Sequence, residues 1–246
     1  LLPVGNDIVD LKTPATQDKS SDLRFINRVF TAHEQETIHS SKVANRTLWV
    51  LWAAKETAYK LYSKVAGPPV FSHRSFQCAI EKTNEQQSDF SIAVSYENEK
   101  IPVEVVTTPE YVHATSARGD AHNYLTDYGI RRLSPKDEER WQDRKAAESI
   151  FTELERSAIH NMASALVRYY CKRHLSALAG IAAQQWQIIR PTHEKKPQPP
   201  YLLLDGYRTD CDVSLSHHGI WLAWALSLPK NSKVRRLMSS DVRKAL

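Results

Sequence analysis

Residues 45–65, NRTLWVLWAAKETAYKLYSKV, decide the fold class, because their apolar and aromatic members recur at every third and fourth position. Leu48, Leu51, Trp52, Ala58, Tyr59 and Tyr62 make that stripe, and Gly67-Pro68-Pro69 ends it. The spacing predicts one long helix from Asn45 to Val65. Upstream, PVGNDIVDL (3–11) alternates apolar and polar residues as a strand does. Between the two, Asp22 to Ser40 reads as helical, with Thr31 and Glu34 spaced as a capping box. Downstream come four strand-like segments, FQCAI (76–80), DFSIAVSY (89–96), KIPVEVV (100–106) and YVHATSA (111–117), with NEQQSD (84–89) as a hairpin loop.

Beyond Gly119 the pattern weakens as far as Arg132, which marks a linker. Ser134-Pro135 then supplies an N-cap and a proline at the first helical position, opening a long amphipathic stretch to Leu178. WQIIR (186–190), YLLL (201–204), DVSLS (212–216) and IWLAWALS (220–227) follow as short strands, broken by EKKPQPP (194–200) and DGYRTD (205–210). The order predicts an α+β protein of two lobes with similar content, without regular strand-helix alternation. The expected divisions are a first lobe at 1–118, a linker and helix start at 119–144, a second lobe at 145–228 and a basic tail at 229–246.

A chain of 246 residues leaves about 11,000 Å² exposed out of roughly 41,000 Å² when it folds, so it builds a core without staples. Hydrophobic residues at 41% and charged residues at 25% suit a soluble globular protein, and no apolar run reaches the length of a bilayer span. Cys78, Cys171 and Cys211 are far apart and lack zinc-ligand spacing, which points to free buried thiols and a reducing cytoplasm. LLPVGND has neither the basic nor the apolar region of a secretory signal. The net charge of +5 resides in the tail, where six basic residues face Asp241, and the body is neutral. That distribution argues against a nucleic-acid binder and leaves the tail as a solvated extension or a docking surface for an acidic partner.

Glycine-rich phosphate loops are absent. Trp52, Glu56 and Lys60, at i, i+4 and i+8, share one helical face, and Asp7 reaches that face if strand and helix pack together. Two converging carboxylates suit magnesium, which takes one or two carboxylates with phosphate oxygens and waters, and a lysine one turn on would neutralise phosphate. The same spacing also fits a surface Glu-Lys pair with a strand Asp capping a helix. A second group, Lys196-Pro197 and SLSHHG (214–219), sits at strand ends and fits either a binding role or plain solvation.

These residues together resemble the 4′-phosphopantetheinyl transferases. GNDIVDL (5–11) is similar to the family's GxDI strand motif, FINRVFTAHE (25–34) to the segment after it, and WAAKETAYK (52–60) to its WxxKExxxK helix. Lys196-Pro197 resembles the KP turn, and SLSHHGIWLAWAL (214–226) the SHS strand. In two-lobed members the last two precede the GxDI strand, and here they follow it. The resemblance therefore implies a circularly permuted two-lobed transferase, with 1–118 matching the second lobe and 145–228 the first. It implies transfer of phosphopantetheine from coenzyme A to a serine of an acyl or peptidyl carrier protein, by a magnesium-dependent cytoplasmic monomer that binds neither nucleic acid nor membrane. Asp7 and Glu56 would hold magnesium, Glu56 would accept the serine proton, Lys60 would contact the pyrophosphate, and Lys196 and His217 would hold the adenosine 3′-phosphate. Val9 stands where many two-lobed members have an acidic residue, and the third SHS position is His218. A basic residue common in the first helix of the family's first lobe has no evident counterpart. A catalytically silent relative serving as a binding or scaffolding module is the rival reading.

Overall fold

Strand β1 (Val4–Asp10) is buried at every residue, which at a sheet edge requires cover on both faces and along the outer edge. The computed structural model, which describes residues 1–67, 69, 72–84, 89–119, 121–142, 149–193 and 196–230, shows how each is covered. In the first half of the chain, β1 heads an antiparallel sheet with β2 (Gln77–Asn84), β3 (Asp89–Tyr96), β4 (Glu99–Thr107) and β5 (Tyr111–Ala117), in the order β1-β5-β4-β3-β2. Helix α3 (Ala44–Ala66) lies across it. Leu51, Ala54, Ala58 and Leu61 of α3 bury fully in one cluster with Val9, Val103, Val105 and Val112.

The segment expected as one helix from Asp22 to Ser40 is two, α1 (Leu23–Val29) and α2 (Ala32–Ser40). Phe30 is extended, and the Thr31–Glu34 capping box starts a fresh helix. The 134–178 stretch is likewise divided among the described residues, into α4 (Pro135–Gln142), α5 (Glu153–Arg156) and α6 (Met162–Ala179). Thr152 and Asn161 each open a new helix with a capping box.

The stretch 119–132 read as a linker contains β6 (Tyr124–Arg132), a strand paired along its length with β13 (Trp221–Pro229). Its mostly half-exposed residues lack a clean alternation, because β13 and β12 (Asp212–His218) supply the apolar side of the sheet β12-β13-β6. Strands β7 (Trp186–Ile189), β10 (Tyr201–Leu204) and β11 (Tyr207–Arg208) form a neighbouring sheet, and β8 (Thr192–His193) pairs with β9 (Lys196–Pro197). Helix α6 packs on this half through Val167, Cys171 and Leu175 against Trp186, Val213 and Leu222. The architecture is α+β, as the element order predicts.

Both halves carry the same polar device in their cores. Glu34 of the box Phe30-Thr31-x-x-Glu34 accepts from Lys55 Nζ at 2.7 Å and from the backbone N–H of Cys78 at 2.7 Å. Glu155 of the box Phe151-Thr152-x-x-Glu155 accepts from Lys172 Nζ at 3.0 Å and from the backbone N–H of Ile188 at 3.0 Å. Each ammonium sits over the ring of its own phenylalanine, 5.6 Å away for Lys55 and 5.4 Å for Lys172. All four charged side chains are buried, so each pair is satisfied within the core, with backbone carbonyls of His73, Phe76 and Ile150 taking the remaining ammonium donors, and removing one partner costs about 3–5 kcal/mol.

The three cysteines are free and buried, and no helix among the described residues is long and apolar enough to cross a membrane. Residues 85–88 of the expected hairpin loop, the Lys195 and Lys196 side chains, and the tail beyond Lys230 lie outside the described residues.

Candidate active site

Gly5 allows β1 and α3 to close on one another, since a Cβ there would stand 2.5 Å from the Thr57 carbonyl oxygen. Contact along the helix then falls at every fourth residue. Lys64 Nζ donates to Val4 O, to Val213 O and to Asp212 Oδ2, each at 2.7 Å. One turn earlier Lys60 Nζ donates to Asn6 O at 2.9 Å and to Asp7 Oδ1 at 2.8 Å. One turn earlier again, Glu56 Oε1 lies 3.0 Å from His73 Nε2, and the His73 ring stacks on Trp52 with centroids 4.3 Å apart.

The outer edge of β1 meets side chains instead of another strand's backbone. The N–H groups of Val4, Asn6, Ile8 and Asp10 donate to Asp212 Oδ2 (2.8 Å), Ser214 Oγ (3.0 Å), Ser216 Oγ (3.1 Å) and His218 Nδ1 (2.9 Å). Period-2 alternation on both strands keeps this zipper in register. His218, in the altered third position of the SHS-like motif, is the last acceptor. The zipper also accounts for Gly219, whose Cβ would fall 2.1 Å from Asp10 Oδ2 and whose φ is +55°.

The zipper brings the two halves together around a cavity of about 470 Å³. Asp7, Lys60 and Lys64 line it from one half, and Arg168, Arg190 and His217 from the other. Four lysines and arginines thus face one carboxylate. Arg168 is 4% exposed, donates to Ser164 O at 2.6 Å, and has no partner for Nε among the described residues. Burial, with Arg190 adding to it, pushes its guanidinium down to about 10. Burial followed by Lys60 and Arg168 lowers the His217 pKa, so this imidazole is neutral near pH 7. Such a cavity has room and charge for a polyanion.

Asp7 is raised above the usual carboxylate range by burial; Glu56 raises it further, and Lys60 and Ser216 oppose the rise. The effect of Glu56 on Asp7 places both carboxylates in one neighbourhood. Each has one oxygen held, Asp7 Oδ1 by Lys60 and Ser216 and Glu56 Oε1 by His73. Asp7 Oδ2 and Glu56 Oε2 have no hydrogen-bond donor among the described residues. Two such oxygens, one from Asp7 in the cavity wall and one from Glu56 a helical turn before Lys60, fit a magnesium ion that completes its shell with water and phosphate. Among the described residues no three His, Cys, Asp or Glu side chains cluster as a softer metal would need.

The structure therefore places Asp7, Glu56 and Lys60 along one rail and His217 across the cavity from Lys60. Pro197 lines the cavity beside Lys196. Sequence reasoning missed Lys64, Arg168 and Arg190. Lys64 continues the i+4 series by one turn, and Arg168 interrupts the apolar run ALVRYYC on a buried helix face. Residues 3–116, which run from β1 into β5, match the family described as ACPS, the 4′-phosphopantetheinyl transferase superfamily. No curated protein matches the chain. The matched segment, a little under half of the chain, carries Asp7, Glu56 and Lys60, and in that segment the chain is similar to the 4′-phosphopantetheinyl transferase superfamily.

Proposed function

We propose that this protein moves the 4′-phosphopantetheine arm of coenzyme A onto a serine of an apo carrier protein. The observation that carries the reading is the cavity itself, four cationic side chains against Asp7, with a second carboxylate, Glu56, one helical turn before Lys60. In the proposed step the serine oxygen bonds to the phosphorus bearing the pantetheine arm. The bond from that phosphorus to the bridging oxygen breaks, and adenosine 3′,5′-bisphosphate leaves. Asp7 and Glu56 would hold magnesium, which when bound would neutralise pyrophosphate charge. Glu56 accepts the serine proton, and Lys60 steadies the pyrophosphate. Arg168 and Arg190 join Lys196 and His217 around the 3′-phosphate, and Arg168 fills the role of the basic helix residue that the motifs alone did not reveal.

The reading extends to a permuted two-lobed chain. Supporting it, Ser227 Oγ near the end of β13 donates to Leu2 O at 2.5 Å, so the strand after the SHS-like motif finishes beside the start of the GxDI-like strand. In an unpermuted chain a short loop would join these ends. The test is mass spectrometry of apo acyl and peptidyl carrier proteins incubated with this protein, coenzyme A and magnesium. A carrier gaining the phosphopantetheine mass supports the reading. A full panel left unmodified favours the catalytically silent relative.

A further inference from the structure

Ser216 makes two bonds that no other rung of the zipper makes together. Its hydroxyl accepts from the Ile8 N–H at 3.1 Å and donates to Asp7 Oδ1 at 2.9 Å. Ser214, two residues earlier, accepts from the Asn6 N–H at 3.0 Å and donates at 3.3 Å to Asn6 Oδ1, which is an amide oxygen. The two serines are therefore matched structurally and differ in whether a carboxylate is held. Both are buried and sit on the same strand.

Asp7 Oδ1 has two donors, Lys60 from its own half and Ser216 from the other. With one oxygen fixed from both sides, the carboxylate cannot rotate freely, and Oδ2 keeps one direction. The next residue, His217, lines the anion cavity. One short strand thus carries both the contact to the carboxylate and a wall of the anion site.

We infer that Ser216 is a positioning residue for the cation site, a side chain of the second half that orients the Asp7 carboxylate through its Oδ1. The inference rests on the reading of Asp7 as a magnesium ligand. Partners of ligating carboxylates commonly change metal affinity by about 10- to 100-fold when they are removed. Loss of Ser216 leaves three zipper rungs in place, so the halves remain joined while the carboxylate gains freedom.

The test is direct titration with Mn²⁺ alone, following the electron paramagnetic resonance signal of the free ion, on the whole protein and on Asp7→Asn, Ser216→Ala, Ser216→Thr and Ser214→Ala. Thermal midpoints are recorded in parallel. Ser216→Ala is expected to raise the Mn²⁺ dissociation constant about tenfold, while Ser214→Ala, with a similar fall in midpoint, keeps the native constant. Ser216→Thr, which retains the hydroxyl, is expected to bind as the unaltered protein does. Equal constants for Ser216→Ala and Ser214→Ala, or loss in Ser216→Thr as great as in Ser216→Ala, would overturn the positioning role. Binding unaffected by Asp7→Asn would remove the cation reading beneath it. Binding abolished by Asp7→Asn and untouched by Ser216→Ala would remove the positioning role alone.

Discussion

The Lys64 ammonium lies 2.7 Å from the Asp212 carboxylate, both side chains more than nine-tenths buried and drawn from opposite halves of the chain. Burial lowers the Lys64 pKa and Asp212 opposes that fall. Lys64→Met leaves a buried carboxylate with one fewer donor and is expected to cost about 3–5 kcal/mol. Chemical denaturation of Lys64→Met, Asp212→Asn and the double variant checks this, the double costing clearly less than the sum of the singles.

Glu56→Gln keeps shape and removes charge. Transfer is expected to fall about 10²- to 10⁴-fold with the melting curve nearly unchanged, since Glu56 is partly exposed and its partner among the described residues is His73. A transfer assay on a responsive carrier beside a thermal melt decides it, and an unimpaired rate would remove Glu56 from both of its roles.

Arg168 pits stability against binding. Its buried guanidinium has a single acceptor among the described residues, Ser164 O, so Arg168→Met is expected to stabilise the unliganded protein by roughly 1 kcal/mol or more. The same change is expected to weaken coenzyme A about tenfold or more and dephospho-coenzyme A far less, because a charge-assisted contact is worth about 1.5–3 kcal/mol. Calorimetry with both ligands separates the effects, and equal weakening would move Arg168 away from the 3′-phosphate.

His217 sets a pH dependence for binding. Burial and the surrounding cations hold its pKa low in the free protein, and an arriving polyanion reverses that field. The bound state then carries the extra proton, so affinity rises as pH falls through the ordinary histidine range near 6.5, by at most about tenfold per pH unit. Subtracting the His217→Gln profile removes the titration of the ligand's own phosphate. Parallel profiles would mean no proton is taken up here.

His113 sets one for folding. Burial pushes its pKa from 6.5 down to about 3, and Nε2 has no partner among the described residues. The folded state refuses a proton that the unfolded chain accepts below 6.5. Its contribution to stability is therefore full above that pH and declines between 6.5 and 3, by up to about 1.4 kcal/mol per pH unit. The difference in unfolding free energy between the unaltered protein and His113→Phe, measured from pH 7 to pH 4, is expected to drift with that sign.

Much of the fold was legible because α3 and the strands of the first sheet obey clean periods, and the rail Trp52-Glu56-Lys60 follows from helix geometry alone. The strand β6 was not legible, since a half-exposed edge strand shows little alternation. Nor was the break at Phe30, where one capping box outweighs an otherwise continuous helical pattern. Arg168 and Arg190 were hidden for another reason. Their meaning lies in what they lack among the described residues, a carboxylate partner, and a sequence shows residues without showing which are paired. The polar alternation in Asp212, Ser214, Ser216 and His218 was visible, but it acquires a purpose only beside the free edge of β1.

The twin Phe-Thr-x-x-Glu devices lock Lys55 in one half and Lys172 in the other, and the residue after each lysine is different. After Lys55 comes Glu56, and after Lys172 comes Arg173. A shared scaffold thus presents an acid on one side and a base on the other at the corresponding place, so the halves are unequal in chemistry while alike in build. On the proposed function, one coenzyme molecule per chain is the stoichiometry expected, since Glu56 has no acidic counterpart after Lys172.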